Sequence, residues 1–429
     1  MIKVKNENKI LFLILNTWSN ETIGIYDYSS NAIKKIKAFI RESTYVVRTK
    51  NNSFENKQQH ADIDTKNGED LLFHVNNSKN DTFILMNPIP KNLKLTEVNF
   101  EYLNNKIWYV IKTINEDNQN EIKESNEDYS LNENDIIKLG RLKYAIQKIN
   151  ILNRDVGDGN GAGPALPIQE IKYKINELNA NLEPVFEFNH IVKKFRNYVD
   201  INEKGAIKEE MDEKACIICK GNKNFINNET DDGENFLINF CKCKEKIYHY
   251  KCLKYQLKSQ MEIVEEDRKQ YVDSMIFKNF DCNHCGFQFP VKFILKGHDK
   301  IFSLVDINEP NNCDYIILET LDYKQYDRYY KSIHIIKFLK DTITVGREAD
   351  NDVVDRDISI SRHHALLKLK GDKIYIENIS KKFGTQVLVK KPIEILDKTL
   401  YIQIGRTYIE ARLITTEEFN EIMKEQKKE

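Results

Sequence analysis

Residues 342–385 read TITVGREADNDVVDRDISISRHHALLKLKGDKIYIENISKKFGT. Short β-type runs, such as Ala365–Leu369 and Ile374–Asn378, are separated by turns rich in Gly, Asp and Asn. Runs of this length with such boundaries predict strands of a β-sandwich rather than helices. Similar runs occur before and after this stretch, including Thr82–Met86 and Tyr315–Leu321. The chain is therefore predicted to be mainly β.

Three turns within this stretch carry residues suited to binding a phosphate group. They are Gly346-Arg347, Ser361-Arg-His-His364 and the turn that ends in Gly384-Thr385. A guanidinium group offers a planar fork that matches phosphate oxygens, and hydroxyl groups donate hydrogen bonds to them. Glycine at position 384 suits an unusual turn conformation.

This set of motifs resembles the forkhead-associated (FHA) domain, a β-sandwich that reads phosphothreonine peptides with loops at one end. The resemblance implies that Arg347 and Ser361 contact the phosphate, that Arg362 assists, and that Thr385 lines a notch for the threonine methyl group. The implied partner is a phosphothreonine-containing protein.

One repeat links the two ends of the chain. The segment LNENDIIKLGR at 131–141 aligns without gaps with LDKTLYIQIGR at 396–406. Two explanations of this repeat are open. The two segments are hairpins that resemble each other by chance, or both belong to a shared sandwich fold. We expect residues 1–150 to form a degenerate FHA-like sandwich. No Ser-x-x-His precedes Gly140-Arg141, so we expect a packing or partner surface there rather than a second phosphate site.

The cysteines are the strongest compositional signal. Seven of the eight lie between Cys216 and Cys285, in a soluble-type chain without an export signal, which indicates metal binding rather than disulfides. Four ligand pairs suit two closed tetrahedral zinc sites. With alternating pairs interleaved, we expect the first ion on Cys216, Cys219, His249 and Cys252, and the second on Cys241, Cys243, Cys282 and Cys285.

The order of these ligands and the short Cys-x-Cys step resemble the RING-CH (RING-variant) zinc finger of MARCH-type ubiquitin ligases. That resemblance implies a groove for a ubiquitin-conjugating enzyme beside the first zinc, with Ile218 as a groove residue. A PHD-type reader of histone tails is the alternative finger. Apolar residues at 253, 257, 261, 264, 272 and 275 predict one helix packed on the finger.

Length and charge limit the remaining possibilities. With 429 residues, about three domains are expected. A net charge of −1 argues against direct nucleic-acid binding, and no apolar run is long enough for a membrane span. We expect a cytoplasmic protein, with nuclear and cytoskeletal or ciliary assemblies as open alternatives. The expected order is 1–150 β-rich and FHA-like, 151–210 Gly/Pro linker and helical segment, 211–294 finger, 295–415 FHA domain and 416–429 polar helical tail.

Two functions from different classes follow. The first is a ubiquitin ligase that has no covalent catalytic residue and works by proximity, with its FHA domain selecting phosphorylated partners. The second is a non-enzymatic scaffold whose finger is purely structural. The expected architecture in both cases is two β-sandwiches flanking a two-zinc, cross-brace finger.

Overall fold

The structure of the protein is a computed structural model. It describes residues 9–18, 25–30, 33–78, 82–87, 103, 105–111, 128–152, 197–198, 215–221, 236–240, 243, 246–263, 270–295, 301–321, 323–325 and 328–427. These residues form a mainly β protein, as expected. No helix in these ranges has the length and apolar character needed to cross a membrane.

The strands fall into three groups along the chain. The first group is β1 (Ile10–Trp18), β2 (Ile33–Ile40), β3 (Thr44–Arg48), β4 (Phe54–Lys57), β5 (Asp70–Ser78), β6 (Thr82–Met86), β7 (Trp108–Ile111), β8 (Tyr129–Ser130), β9 (Ile136–Leu139) and β10 (Leu142–Asn150). The middle group is β11 (Asn197–Tyr198), β12 (Leu237–Ile238), β13 (Tyr248–His249), α1 (Tyr250–Ser259), β14 (Met261–Ile263), β15 (Val272–Phe277), β16 (Lys292–Leu295) and β17 (Ile301–Ser303). The last group is β18 (Tyr315–Leu321), β19 (Tyr323–Gln325), β20 (Arg328–Lys337), β21 (Thr342–Gly346), β22 (Val353–Val354), β23 (Ala365–Lys370), β24 (Lys373–Asn378), β25 (Thr385–Leu388), β26 (Ile393–Glu394), β27 (Leu400–Ile404), β28 (Thr407–Ile414) and α2 (Thr416–Gln426).

One long sheet runs through both halves of the molecule. Its order is β14-β15-β20-β18-β10-β9-β25-β7-β27-β28-β1-β2, with β19 paired to β20. Two five-stranded sheets complete the sandwiches, in the orders β22-β21-β23-β24-β8 and β26-β6-β5-β3-β4. Each five-stranded sheet packs its apolar face against one half of the long sheet, which produces two separate cores.

The two sandwiches have the same strand order and exchange their closing strands. The carboxy-terminal sandwich contains β18 and β20–β25, but its last strands are β8–β10 from the first half of the chain. The amino-terminal sandwich contains β1–β7 and is closed by β26–β28 from the other half. Strands β25 and β7 pair at the boundary between the sandwiches.

This exchange corrects the domain boundaries expected from the sequence. Residues 1–150 and 295–415 are not two separate sandwiches, because each range supplies strands to both. The two closing hairpins have similar apolar patterns, so the sequence alone does not indicate which sandwich each one completes. Both repeated segments belong to β-sandwiches, as the shared-fold explanation of the repeat expects.

The repeated segments form matching hairpins. Leu139 pairs with Leu142, and Ile404 pairs with Thr407. Gly140 and Gly405 occupy the first turn position with φ of 58° and 52°. Two-residue hairpin turns need this left-handed backbone, which glycine adopts without steric cost.

The helices differ in part from the expectation. The helix predicted through residue 275 ends at Ser259, and the chain then forms β14 and β15, which pair with each other. Strand β15 also pairs with β20, so tertiary pairing with the long sheet overrides the helical spacing. Helix α2 begins after a capping box of Thr415 and Glu418, as the polar tail indicated. The linker and helical segment expected at 151–210 lie almost entirely outside the described residues.

Candidate functional site

The predicted phosphate-binding residues lie on neighbouring loops of the carboxy-terminal sandwich. Strand β21 ends at Gly346, and the next residue, Arg347, donates its backbone N–H to the Ser361 carbonyl oxygen at 3.0 Å. A β-carbon at Gly346 would lie 2.1 Å from the Arg362 carbonyl oxygen, so only glycine fits here. The close approach of the two loops therefore brings Arg347 and Ser361 together, and the Arg347 side chain is exposed.

A buried histidine organises the loop that carries Ser361. The Ser361 backbone N–H donates to His364 Nδ1 at 3.0 Å, and His364 Nε2 lies 3.4 Å from the Gly384 carbonyl oxygen. Burial lowers the pKa of His364 to about 4, outweighing the opposing effect of the Gly384 carbonyl. The imidazole is therefore neutral at pH 7, with Nδ1 accepting and Nε2 donating, and it ties two turns together.

The other two predicted phosphate-site residues differ in exposure. Arg362 is exposed and lies 3.6 Å from the Glu348 carboxylate, a weak surface pair that an anionic ligand could displace. Thr385 is fully buried, and its hydroxyl donates to Asn378 Oδ1 at 2.8 Å. The structure thus places Thr385 beneath the loops rather than on their surface.

Two polar residues for which no specific role was predicted also shape this site. Ser380 Oγ lies 2.6 Å from Ser361 Oγ and accepts the Phe383 backbone N–H at 3.0 Å. Asn351 donates to the Arg362 carbonyl oxygen at 2.8 Å and so joins the same two loops. Ser380 begins the turn that ends in Gly384-Thr385, and Asn351 follows Gly346-Arg347 by a few residues, which is the only signal that the sequence offered.

A residue from the first half of the chain also reaches this site. The Tyr28 backbone N–H donates to the Lys382 carbonyl oxygen at 2.9 Å, and the Tyr28 ring fills the space where a Gly384 side chain would lie. Glycine at 384 is thus explained by close packing, because its φ is not positive and the turn itself does not require glycine. No local sequence pattern could have indicated this contact.

The first predicted metal-ligand set is assembled in the finger. The donor atoms of Cys216, Cys219, His249 and Cys252 all lie within 4.8 Å of one another. The Cys219 sulfur is 3.3 Å from His249 Nδ1. A tetrahedral zinc ion with Zn–S bonds of about 2.3 Å holds its ligand atoms roughly 3.8 Å apart, so this donor set fits zinc.

Backbone N–H groups support the sulfur atoms of this cluster. The His249 N–H points to the Cys216 sulfur at 3.2 Å, and the Gly221 N–H points to the Cys219 sulfur at 3.4 Å. Hydrogen bonds to the charged form favour the thiolate, which is the state that binds metal.

The second set is described only in part. Cys243, Cys282 and Cys285 also have their sulfur atoms within 4.8 Å, while Cys241 lies outside the described residues. The first and third ligand pairs thus share one cluster, and Cys243 of the second pair joins the fourth pair in the other. All seven cysteines in the described part of the chain are free thiols.

The two Cys-x-x-Cys turns have the same backbone geometry. Lys220 donates to the Cys216 carbonyl oxygen and Gly286 to the Cys282 carbonyl oxygen, both at 2.8 Å. These two donors have positive φ, 60° at Lys220 and 66° at Gly286. Each turn thus directs two sulfur atoms toward one point, as a metal knuckle requires.

The residue predicted for a conjugating-enzyme groove is exposed. Ile218 is 37% exposed beside the first cluster, and Tyr255 on α1 is 76% exposed. Leu253 and Leu257 on the same helix are buried in the finger core. The helix therefore packs with one face and presents Tyr255 and Gln256 to solvent.

One part of the chain matches the model of a known protein family. The family model of the FHA domain matches residues 343–405. No curated protein matches the chain. The match covers a single stretch of sequence, whereas the structure places residues 343–388 in one sandwich and residues 393–405 in the other. The match supports the FHA part of the resemblance for residues 343–405.

Proposed function

We propose that this protein recognises phosphothreonine-containing partner proteins with the loops of its carboxy-terminal sandwich. One observation carries the proposal: Arg347 and Ser361 are joined by a backbone hydrogen bond at the open end of the sandwich. Arg362, Lys381 and Lys382 are exposed on the same or adjoining loops and add positive charge. A dianionic phosphate between these groups gains charge-assisted hydrogen bonds.

A degenerate phosphothreonine peptide library tests this proposal. Wild-type protein is expected to retain phosphorylated peptides, and Arg347→Ala to weaken binding by roughly tenfold or more, because one charge-assisted contact contributes about 1.5–3 kcal/mol. Lys373→Ala, at the opposite end of β24, is the matched control and should bind like wild type. Equal retention of phosphorylated and plain peptides would reject the proposal. Phosphoserine peptides lack the methyl group of phosphothreonine and test whether that group contributes to binding. This test is needed because Thr385, which was predicted to line the notch for the methyl group, is buried.

The finger in this proposal is a two-zinc structural unit. The four-donor cluster and the three described sulfur atoms of the second cluster support it. When bound, zinc supplies cross-links between distant parts of the finger and contributes to its folding. Elemental analysis is expected to give two zinc ions per chain, and one ion or none would contradict the interleaved arrangement.

Ubiquitin transfer is the second candidate function. Its support is that two apolar side chains near first-cluster ligands are exposed: Ile218, next to Cys219, and Tyr255, three residues after Cys252. The test is a reconstituted assay with a panel of conjugating enzymes, comparing wild type with Ile218→Ala. Leu339→Ala, another exposed apolar residue, is the matched control.

Each outcome of the ubiquitin assay has a defined meaning. The protein would be established as a ligase if wild type and Leu339→Ala form ubiquitin chains and Ile218→Ala, at unchanged zinc content, does not. Absence of transfer with every enzyme would favour the scaffold. Gln256→Trp then tests whether an aromatic residue on α1 restores transfer, because buried aromatic residues contribute strongly to such interfaces.

A further inference from the structure

The turn of the β9–β10 hairpin lies directly against the loop that carries Ser361. A β-carbon on Gly140 would be 2.1 Å from the Ser359 carbonyl oxygen, so the turn and the loop are in close contact. This hairpin comes from the first half of the chain, through the strand exchange described above. The phosphate-binding loop is therefore packed against a segment that lies far away in sequence.

Arg141 makes the strongest contacts of this turn. Its Nε lies 3.0 Å from both carboxylate oxygens of Asp357, and its Nη2 donates to Asp357 Oδ2 at 2.6 Å. Its backbone N–H donates to Ser359 Oγ at 2.9 Å. A guanidinium group that donates through two nitrogens holds a carboxylate in one orientation, unlike a single-point contact.

Asp357 in turn organises the loop around itself. Its side chain is only 2% exposed, and Oδ1 accepts from both the backbone N–H and the hydroxyl of Ser359, at 2.9 and 2.6 Å. A buried carboxylate of this kind is strongly unfavourable without a cationic partner. Arg141 is one cationic partner of this carboxylate.

Asp357 is close in sequence to the phosphate-binding residue Ser361. Ser359 and Ile360 are fully buried, and the next residue is Ser361, whose carbonyl oxygen accepts from the Arg347 backbone. A second contact supports the start of the same loop: Tyr144 donates its hydroxyl to Asp355 Oδ2 at 2.5 Å. Displacement of Asp357 would thus shift Ser361 relative to Arg347.

We propose that Arg141 is a positioning residue for phosphate recognition: through Asp357 and Ser359 it holds the loop of Ser361 in its binding geometry. The inference rests on the proposed phosphopeptide function. It means that the first half of the chain contributes to ligand affinity at the FHA loops without contacting the ligand.

The test measures affinity and stability side by side. The probe is a phosphothreonine peptide that wild-type protein selects from the degenerate library. Arg141→Gln is expected to weaken its binding at least tenfold, mainly through faster dissociation, and Arg141→Lys to weaken it severalfold, because lysine keeps the charge but loses the fork. The matched control is Arg406→Gln, at the same turn position of the other hairpin.

If Arg141 had a purely structural role, Arg141→Gln and Arg406→Gln would both have a lower unfolding temperature and would bind the phosphothreonine peptide with similar affinities. Affinity lost only in Arg141→Gln supports positioning, as does its recovery in the charge-swapped pair Arg141→Asp with Asp357→Arg. Arg141→Lys with wild-type affinity would overturn the inference, and so would equal affinities of the two glutamine variants. Unchanged binding in Arg347→Ala would reject the phosphate site itself, which is a separate result.

Discussion

Asn150 and Tyr315 pair side by side at the ends of β10 and β18, although the whole finger lies between them in the sequence. Between these two residues the chain forms the finger and also supplies β14 and β15 to the edge of the same long sheet, next to β20. The finger core also covers one face of that sheet, where it packs on Tyr315, Ile317, Ile333 and Ile335. The opposite face of the same strands belongs to the carboxy-terminal sandwich.

Removal of metal is therefore expected to unfold the finger and leave both sandwiches folded, because the sandwich cores are separate from the finger core. Treatment with a chelator should create protease sites within residues 215–295 and increase the fluorescence of a dye that binds exposed apolar surface. Cys252→Ser should have the same effect, whereas Cys313→Ser, outside both clusters, should not. Unchanged protease resistance after complete loss of metal would contradict this.

The strand exchange predicts a specific disulfide bond. Ile14 pairs with Glu410 across β1 and β28, so Ile14→Cys with Glu410→Cys should form a cross-link under mild oxidation. In a chain without the exchange, Ala145 would occupy the place of Glu410, because the repeat aligns these positions. The control pair is therefore Ile14→Cys with Ala145→Cys, and peptide mapping by mass spectrometry distinguishes the two. A cross-link in the control pair alone would disprove the exchange.

Acidification should destabilise the carboxy-terminal sandwich through His364. Burial lowers its folded pKa to about 4, whereas the unfolded value is about 6.5. Between these values only the unfolded state binds the proton, so the free energy of unfolding falls as pH decreases through this window, by about 3 kcal/mol at most. Denaturant titrations of wild type and His364→Asn at pH 7 and pH 4.5 measure the difference. Equal pH dependence in both proteins would contradict the prediction.

Lys138 is a second buried base, and its pKa shift affects stability in a higher pH window than that of His364. It lies in β9 near the sandwich boundary, with its ammonium nitrogen 5.5 Å from the Trp108 ring centroid and 5.7 Å from that of Tyr26. Burial, aided by Lys143, lowers its pKa to about 7. Above pH 7 the folded state releases this proton before the unfolded state does, so stability rises with pH up to about 10.4.

Lys138→Met is accordingly expected to stabilise the protein at pH 7, by about 1–3 kcal/mol, because it removes the cost of burying an amine. The gain should shrink as the pH approaches 10. Denaturant unfolding at pH 7 and pH 9.5 checks both statements. A loss of stability at pH 7 would show that the ring contacts outweigh the burial cost.

The sequence alone determined the local features of this protein. Short β-type runs predicted several of the longer strands, including Thr82–Met86 and Tyr315–Leu321 with their observed bounds. Four cysteine and histidine pairs indicated the interleaved clusters, because a metal knuckle needs two ligands within a few residues. The motifs around Arg347 and Ser361 indicated the phosphate loops for the same reason: each motif is a short stretch whose chemistry and backbone geometry are set by near neighbours.

Only the tertiary structure decided which distant segments meet. The closing hairpins that contain Gly140 and Gly405 have similar patterns, so either could complete either sandwich, and only the packing of whole sheets selects between them. The same holds for Arg141 beside Asp357 and for Tyr28 against Gly384. Such contacts arise from the summed packing of whole sheets, and no short stretch of sequence contains that information.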